Sequence, residues 1–305
     1  MTASELHVVT GAFGYSGRHI ASLLLKRGQR VRTLTGHPDR PNPFGNRVEA
    51  MPFHFDDPDA LAASLRGAAV VYNTYWVRFS RGRSTFDRAA ANTRTLLRAA
   101  REAGVGRFVH LSITNPSEDS PLPYFRGKAV VERMLIESGL SYIILRPTVL
   151  FGTGDVLINN IAWLLRRLPM LGVFGAGDYR LQPVYVGDLA ALAVEAAEQA
   201  ENLVMDAAGP ETYGFEELVR LIRARIGSRA AIVHLPAGAA WAAGRAIGWL
   251  VGDVVITRDE IAGLMANLLV SHEPPRCPTR FSQWLQEYGD ELGTEYASEL
   301  KRHHR

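Results

Sequence analysis

Tyr124 and Lys128 stand four apart in the run Tyr124-Phe125-Arg126-Gly127-Lys128, and on a helix that spacing puts them on one face. A tyrosine of pKa about 10 is a poor base at neutral pH, but a neighbouring ammonium favours its ionised form. Such a pair can give or take the proton of an alcohol while a nicotinamide exchanges hydride. Two surface residues of a helix would read the same way, so position carries the weight. The pair follows Leu111-Ser112-Ile113-Thr114, the end of an apolar run, and open α/β sheets bind ligands at the carboxyl ends of their strands.

A second set of residues is built for phosphate. In Val8-Val9-Thr10-Gly11-Ala12-Phe13-Gly14-Tyr15-Ser16-Gly17-Arg18, Gly11 allows a tight turn, Gly14 admits a pyrophosphate close to the backbone, and Gly17 lets a helix pack on a strand. The phosphates would meet exposed N–H groups at the positive end of the helix that starts near Gly14. Phe13, Tyr15 and Arg18 join the three glycines as expected cofactor-binding residues. A β-rich run before the glycines and Ile20, Leu23, Leu24 and Leu25 after them supply the strand and helix that this turn requires.

The end of the second expected strand should recognise the adenosine ribose. An NAD enzyme usually has Asp or Glu there, whereas this chain has Thr35-Gly36-His37 with Arg40 nearby and Arg18 beyond the third glycine. That donor set leans towards the 2′-phosphate of NADP(H), and Asp39 keeps NAD open. Asp56 is placed to accept from the adenine amino group or simply to serve the helix start at Asp57-Pro58. Asn73, at the end of the fourth strand, is expected at the cofactor edge of the sheet.

Near-continuously apolar strands alternate with helices through residue 112, which predicts a doubly wound parallel α/β sheet of Rossmann type. Residues 1–150 are expected to form the NAD(P)-binding domain. Residues 151–305 are expected to form a smaller, mostly helical substrate-binding region, with residues 184–206 returning to the Rossmann sheet. Residues 237–256 are apolar, but Arg245 and Asp253 interrupt them, so they predict a buried helix rather than a span, with peripheral membrane association as the alternative. Thr257-Arg258-Asp259-Glu260 has the spacing of a capping box. Phe281, Trp284, Leu285 and Tyr288 recur at helical spacing, and Leu292, Tyr296 and Leu300 continue as one stripe.

With 305 residues and 47% hydrophobic side chains the chain can bury a large core. A net charge of +3, from 34 basic and 31 acidic residues well mixed, argues against a nucleic-acid surface. Cys277 is the only cysteine and the nine histidines are scattered apart from the last pair, which excludes an intrachain disulfide and predicts no metal site. The first strand begins within a few residues of the start, so a cytoplasmic protein is expected. The basic end, residues 301–305, reads as a solvated tail. Nothing in the sequence fixes the oligomeric state.

In order, these signals resemble the short-chain dehydrogenase/reductase superfamily in its extended and atypical branches. The likeness runs on through Leu145-Arg146-Pro147-Thr148-Val149-Leu150-Phe151-Gly152 to Gln182-Pro183-Val184-Tyr185-Val186-Gly187-Asp188-Leu189-Ala190. The resemblance implies that Tyr124 is the catalytic acid/base and that Lys128 lowers its pKa and holds the nicotinamide ribose. It implies that Ser112 bonds the substrate oxygen, with Thr114 as a substitute. Asn92 resembles the helix asparagine that positions a proton-relay water, or is an ordinary polar helix residue. Pro147, Thr148 and Val149 resemble the loop over the nicotinamide. The atypical members include the nucleotide-binding accessory subunit of respiratory complex I and redox sensors that bind without turnover. The chain departs from the family at Asn73-Thr74-Tyr75-Trp76, where a small, glycine-containing turn is expected. The resulting expectation is an NAD(P)-dependent oxidoreductase acting on a carbonyl or secondary alcohol of a small molecule. An epimerase or dehydratase and a non-catalytic sensor or assembly factor are the alternatives.

Overall fold

The computed structural model describes residues 4–303 and divides into two compact units. The first runs through Pro147 and takes in Val186–Ala207; the second comprises Thr148–Tyr185 and the chain from Ala208 on.

In the first unit, apolar runs form β1 (Leu6–Thr10), β2 (Arg30–Thr35), β3 (Val48–Pro52), β4 (Ala68–Asn73), β5 (Arg107–Leu111) and β6 (Tyr142–Pro147). Between them lie α1 (Tyr15–Lys26), α2 (Pro58–Leu65), α3 (Phe86–Glu102) and α4 (Pro123–Ile136). The chain then contributes β7 (Val149–Phe151), α5 (Leu157–Arg167), β8 (Met170–Phe174), β9 (Arg180–Leu181) and β10 (Pro183–Tyr185) to the second unit. It returns to the first unit as α6 (Val186–Ala196) and β11 (Leu203–Ala207).

The first unit is a seven-stranded parallel sheet in the order β11-β6-β5-β4-β1-β2-β3. This is the doubly wound Rossmann arrangement that the alternation of strands and helices predicts. Every residue of β1 and of β5 is buried, because a parallel sheet is covered on both faces. Val8, Val71, Phe108 and Ile144 of the strands pack with Leu61, Leu96 and Leu135 of α2, α3 and α4, while α1 packs beside α6. The strand order reverses between β1 and β4, and the crevice at such a switch point is where open sheets bind ligands. Asp57 caps α2 by accepting from the Ala60 N–H at 3.1 Å, and Thr85 caps α3 by accepting from that of Arg88 at 3.1 Å.

The rest of the second unit is β12 (Tyr213–Gly214), α7 (Phe215–Arg225), β13 (Ala231–Leu235), α8 (Ala237–Val251), α9 (Arg258–Met265) and α10 (Phe281–Tyr288), with a short helix at Glu299–His303. Its core gathers Phe151, Ile158, Val173, Leu181, Leu218 and Phe281. Thr257 and Glu260 make the capping box at the start of α9, with the Thr257 N–H donating to Glu260 at 2.8 Å. Phe281, Trp284 and Leu285 of α10 turn inward.

Two expectations fail here. The apolar segment at α8 is a helix but not a buried one: Trp249 is 84% and Leu250 75% exposed, and only Gly244 and Gly248 are buried. Its glycine face does the packing, since an added Cβ would fall 2.5 Å from the Asp253 carbonyl at Gly248 and 2.8 Å from Ile256 Cγ2 at Gly244. Trp241 and Ile247 are half-buried against the core of the unit, and Trp249 and Leu250 are left outside. The stripe of Leu292, Tyr296 and Leu300 is likewise not one helix, because residues 291–298 are irregular. Gly293 sits at φ +73° with its Cβ position 2.4 Å from the Trp163 nitrogen, and Arg166 donates to the carbonyls of Leu292 and Asp290 at 2.8 and 3.0 Å. Side chains of α5 thus hold the segment's backbone in place of helical bonds. Lys301 is exposed; His304 and Arg305 of the basic end lie outside the described residues. Among those residues no helix is long and apolar enough to cross a membrane.

Candidate functional site

The glycine turn leaves β1 at Gly11, whose φ of +69° a side chain would strain. The Gly11 N–H donates to the Leu34 carbonyl and the Gly14 N–H to the Gly11 carbonyl, both at 2.8 Å, which fixes the loop between β1 and α1. A Cβ at Gly17 would lie 2.3 Å from the Gly11 carbonyl oxygen, so only glycine lets α1 approach the turn. Gly14 is the N-cap of α1 and supplies no capping side chain, and no acidic residue stands in the first turn. No capping side chain and no first-turn carboxylate thus stands between this helix end and an anion. Arg18 Nη2 donates to the Phe13 carbonyl at 3.3 Å, and Tyr15 stacks edge-on with His19. These residues fit the pyrophosphate of a dinucleotide. At the end of β2 the Thr35 hydroxyl accepts from the His37 N–H at 3.2 Å, and the His37 side chain is exposed. Arg40 is half-buried on the same loop, whereas Asp39 and Asp56 are exposed.

After β4 the structure departs from expectation. Asn73 is fully buried and lies inside the sheet edge instead of at its surface. Its Oδ1 accepts from Thr10 Oγ1 at 3.0 Å and its Nδ2 lies 3.1 Å from His110 Nδ1. Because the Asn73 oxygen already accepts, its amide must donate, which puts the His110 proton on Nε2. That nitrogen is buried with no hydrogen-bond partner among the described residues. Burial, with Lys128 adding to it, holds the His110 pKa well below the ordinary imidazole value. Asn73 therefore ties β1, β4 and β5 together, a scaffold role.

Asn92 also has a different partner from the one expected. Its Nδ2 donates to the Tyr75 hydroxyl at 2.8 Å, and Tyr75 packs against Phe53 and Phe55 with ring centroids 5.0 and 5.1 Å away. The bulky residue after β4 thus takes an amide donor of the asparagine that the family resemblance assigns to a proton relay. Burial raises the Tyr75 pKa, so it holds this bond as a neutral hydroxyl.

The reactive candidates gather on α4 and after β5. Lys128 is 3% exposed; its Nζ donates to the Leu111 carbonyl at 2.7 Å and lies 4.8 Å from the centre of the Trp76 ring. Burial lowers its pKa to about 7, with Glu132 opposing. Tyr124, one turn earlier and half-buried, meets Trp76, Phe86 and Phe125 edge to face at 6.2, 5.8 and 5.7 Å. Ser112 Oγ is buried with no hydrogen-bond partner among the described residues, the condition of a hydroxyl that a ligand atom satisfies. Thr114, its possible substitute, is committed instead, donating to Asp206 Oδ2 at 3.2 Å. At the end of β6, Arg146 grips the buried Glu132 at 2.6 Å, and Pro147 closes the strand. Thr148 and Val149 open the second unit, both buried.

Within the first unit, then, the structure places Tyr124, Lys128, Ser112 and the glycine turn at the carboxyl ends of the strands. It also engages Asn73, Asn92 and Thr114 in side-chain hydrogen bonds within the unit. Sequence reasoning missed His110, the ring contact of Trp76 with Lys128, and the Glu132–Arg146 pair. Glu132 was findable, since it follows Lys128 at i+4 on the same helix face. Among the described residues no group of histidine, cysteine and acidic side chains is arranged to hold a metal.

The NAD dependent epimerase/dehydratase family model matches residues 7–207. Among curated proteins the chain is similar to "NADH dehydrogenase [ubiquinone] 1 alpha subcomplex subunit 9, mitochondrial" of Arabidopsis thaliana. The two are 27% identical over 282 residues, 86% of this chain and 70% of that protein. The Dictyostelium discoideum protein of the same name is 24% identical over 72% of this chain and 64% of its own length. The chain thus spans about two thirds of these relatives. Among solved structures it resembles a nucleoside-diphosphate-sugar epimerase from Staphylococcus aureus at a TM-score of 0.71, covering 97% of this chain and 98% of that one. Their identity is 14%, so this likeness concerns the fold alone.

Proposed function

The chain belongs to the NAD dependent epimerase/dehydratase family, and from that premise we propose that it is an NAD(P)-dependent oxidoreductase acting on a carbonyl or secondary alcohol of a small molecule. The observation that carries this reading is Lys128, buried one helical turn from Tyr124 beside the end of β5. A lysine is rarely buried without a task, and a pKa near neutrality suits one that must change or share charge.

In this reading Gly11, Phe13, Gly14, Tyr15, Gly17 and Arg18 hold the pyrophosphate. His37 and Arg40 receive the adenosine ribose, with a preference for its 2′-phosphate and hence NADP(H), and Asp56 faces the adenine. Pro147, Thr148 and Val149 approach the nicotinamide. When bound, the dinucleotide supplies or takes up a hydride. Tyr124 Oη gives its proton to the substrate oxygen during reduction and takes it back during oxidation. The Lys128 ammonium lowers the cost of the resulting phenolate. Ser112 Oγ holds the substrate oxygen. The first unit is the cofactor domain and the second contributes the substrate region, in a cytoplasmic protein. Epimerisation or dehydration by transient hydride transfer is the near variant, recognised by a cofactor that is not consumed.

The test is turnover of a panel of aldehydes, ketones and nucleotide sugars with NADPH and NADH, comparing wild type with Tyr124→Phe. A loss of about a hundredfold or more in kcat with cofactor affinity intact is expected; an unchanged rate would overturn the mechanism. A second reading, a nucleotide-binding protein without turnover, is favoured by the Lys128 ammonium's engagement with the Leu111 carbonyl and Trp76. Its relatives' name, a subunit of NADH dehydrogenase, agrees with it. Tight NADPH binding with no turnover of any panel member would select it.

A further inference from the structure

Trp76 touches both members of the Tyr124–Lys128 pair. Its ring centre lies 4.8 Å from Lys128 Nζ, and its plane stands at 90° to the Tyr124 ring at 6.2 Å. Phe86 stacks on it at 6.1 Å, inclined by 20°. Gly127, between the two reactive residues, makes the room, since a Cβ there would fall 3.0 Å from Trp76 Cη2 and 3.1 Å from Cζ2. An ammonium carries three N–H groups, and the hydrogen bond described for Lys128 goes to the Leu111 carbonyl at 2.7 Å. The indole face is a further electron-rich group beside it, in addition to the Glu132 carboxylate that opposes the effect of burial, and Lys128 is 3% exposed. A large side chain thus stands where the family resemblance leads one to expect a small turn, and the helix opposite carries a glycine against it.

We propose that Trp76 is the positioning residue of the pair: its indole face holds the Lys128 ammonium at the Leu111 carbonyl while its edge fixes the Tyr124 ring. The inference rests on the reading of Tyr124 and Lys128 as the reactive pair for its purpose, but its geometry does not depend on turnover. A ring face stabilises the protonated amine. It therefore offsets part of the burial that draws Lys128 towards neutrality, and it keeps the amine near the phenol with its charge available.

The sequence makes this measurable, because it contains three lysines, Lys26, Lys128 and Lys301, of which only Lys128 is buried. Carbon-13 labelling of lysine gives three resonances, and titration of the full-length protein assigns the buried one a midpoint. In Trp76→Leu, which keeps an apolar cover without a ring, the Lys128 midpoint is expected to fall by about half a pH unit. In Trp76→Phe it is expected to stay within about 0.2 unit of wild type, because a ring remains. If Trp76→Leu does not fold, Trp76→Met, an unbranched apolar side chain that also lacks a ring, is expected to lower the midpoint in the same direction. An unchanged or raised midpoint in whichever of the two is measured would overturn the proposal. Failure of the oxidoreductase reading shows separately, as turnover that survives Tyr124→Phe, and leaves the lysine titration untouched.

Discussion

Asn73 Nδ2 lies 3.1 Å from His110 Nδ1, and the two residues are in register on neighbouring strands β4 and β5. The bond fixes a neutral imidazole beneath the reactive residues. Its folded pKa lies below the ordinary value, chiefly through burial, so below about pH 6.5 the unfolded chain binds a proton that the folded chain refuses. Stability is full above that pH and falls as the solution is acidified towards the folded pKa. His110→Gln keeps an acceptor for Asn73 and removes the titration. Urea unfolding between pH 7.5 and 5.5 should show a wild-type loss steeper than the variant's by up to about 1.4 kcal/mol per pH unit. Equal slopes would refute it, since His7 and His19, also lowered by burial, contribute to both proteins alike.

Lys128 predicts a second rise of the same sign at higher pH. Its pKa falls to about 7 in the fold against about 10.4 in an unfolded chain. Between those values the unfolded state holds the extra proton, so wild-type stability rises with pH through that window and is lowest below it. Lys128→Met should therefore be more stable than wild type at pH 6 to 7, by about 3 kcal/mol. The advantage should shrink by pH 10. A variant less stable than wild type at pH 7 would show that the amine is not buried at a cost.

Gly17→Ala should abolish dinucleotide binding. The new Cβ would lie 2.3 Å from the Gly11 carbonyl, a backbone atom that can move only by reshaping the phosphate turn. A stability loss of about 2–3 kcal/mol by thermal unfolding should accompany the loss of NADPH fluorescence enhancement. Retained binding would mean that the turn is not the phosphate site.

On α8 two neighbouring residues should behave oppositely. Trp249→Ser, at a side chain 84% exposed, should change stability by less than about 0.5 kcal/mol. Gly248→Ala, whose Cβ would fall 2.5 Å from the Asp253 carbonyl, should cost about 2 kcal/mol despite the better helix propensity of alanine. Thermal melts of the two variants decide it, and a reversed order would mean that the helix buries its other face.

The fold was legible because its signals are local. The glycine turn, the Asp57-Pro58 helix start and the Thr257 capping box each fix a chain reversal or helix end within a few residues. The reactive pair was legible for the same reason, as an i, i+4 spacing. What sequence could not show is competition for partners. Asn92 is diverted by the Tyr75 hydroxyl, Asn73 by His110 and Thr10, and Thr114 by Asp206, across separations of 17 to 92 residues. Composition also failed at α8, where hydropathy suggested burial but the glycines on one face decided which side packs.

The return of β11 to the sheet sets an order on biosynthesis. β11 closes the outer edge of β6, pairing Leu203 with Ile143 and Ala207 with Pro147. While the chain is being translated, β6 leaves the ribosome about sixty residues before its neighbour and must wait with an open edge, for several seconds at ordinary elongation rates. An unpaired strand edge is a template for pairing with another chain. Premature termination anywhere between residues 148 and 202 would therefore release a nascent sheet lacking its last strand, a substrate for chaperones and a seed for aggregation.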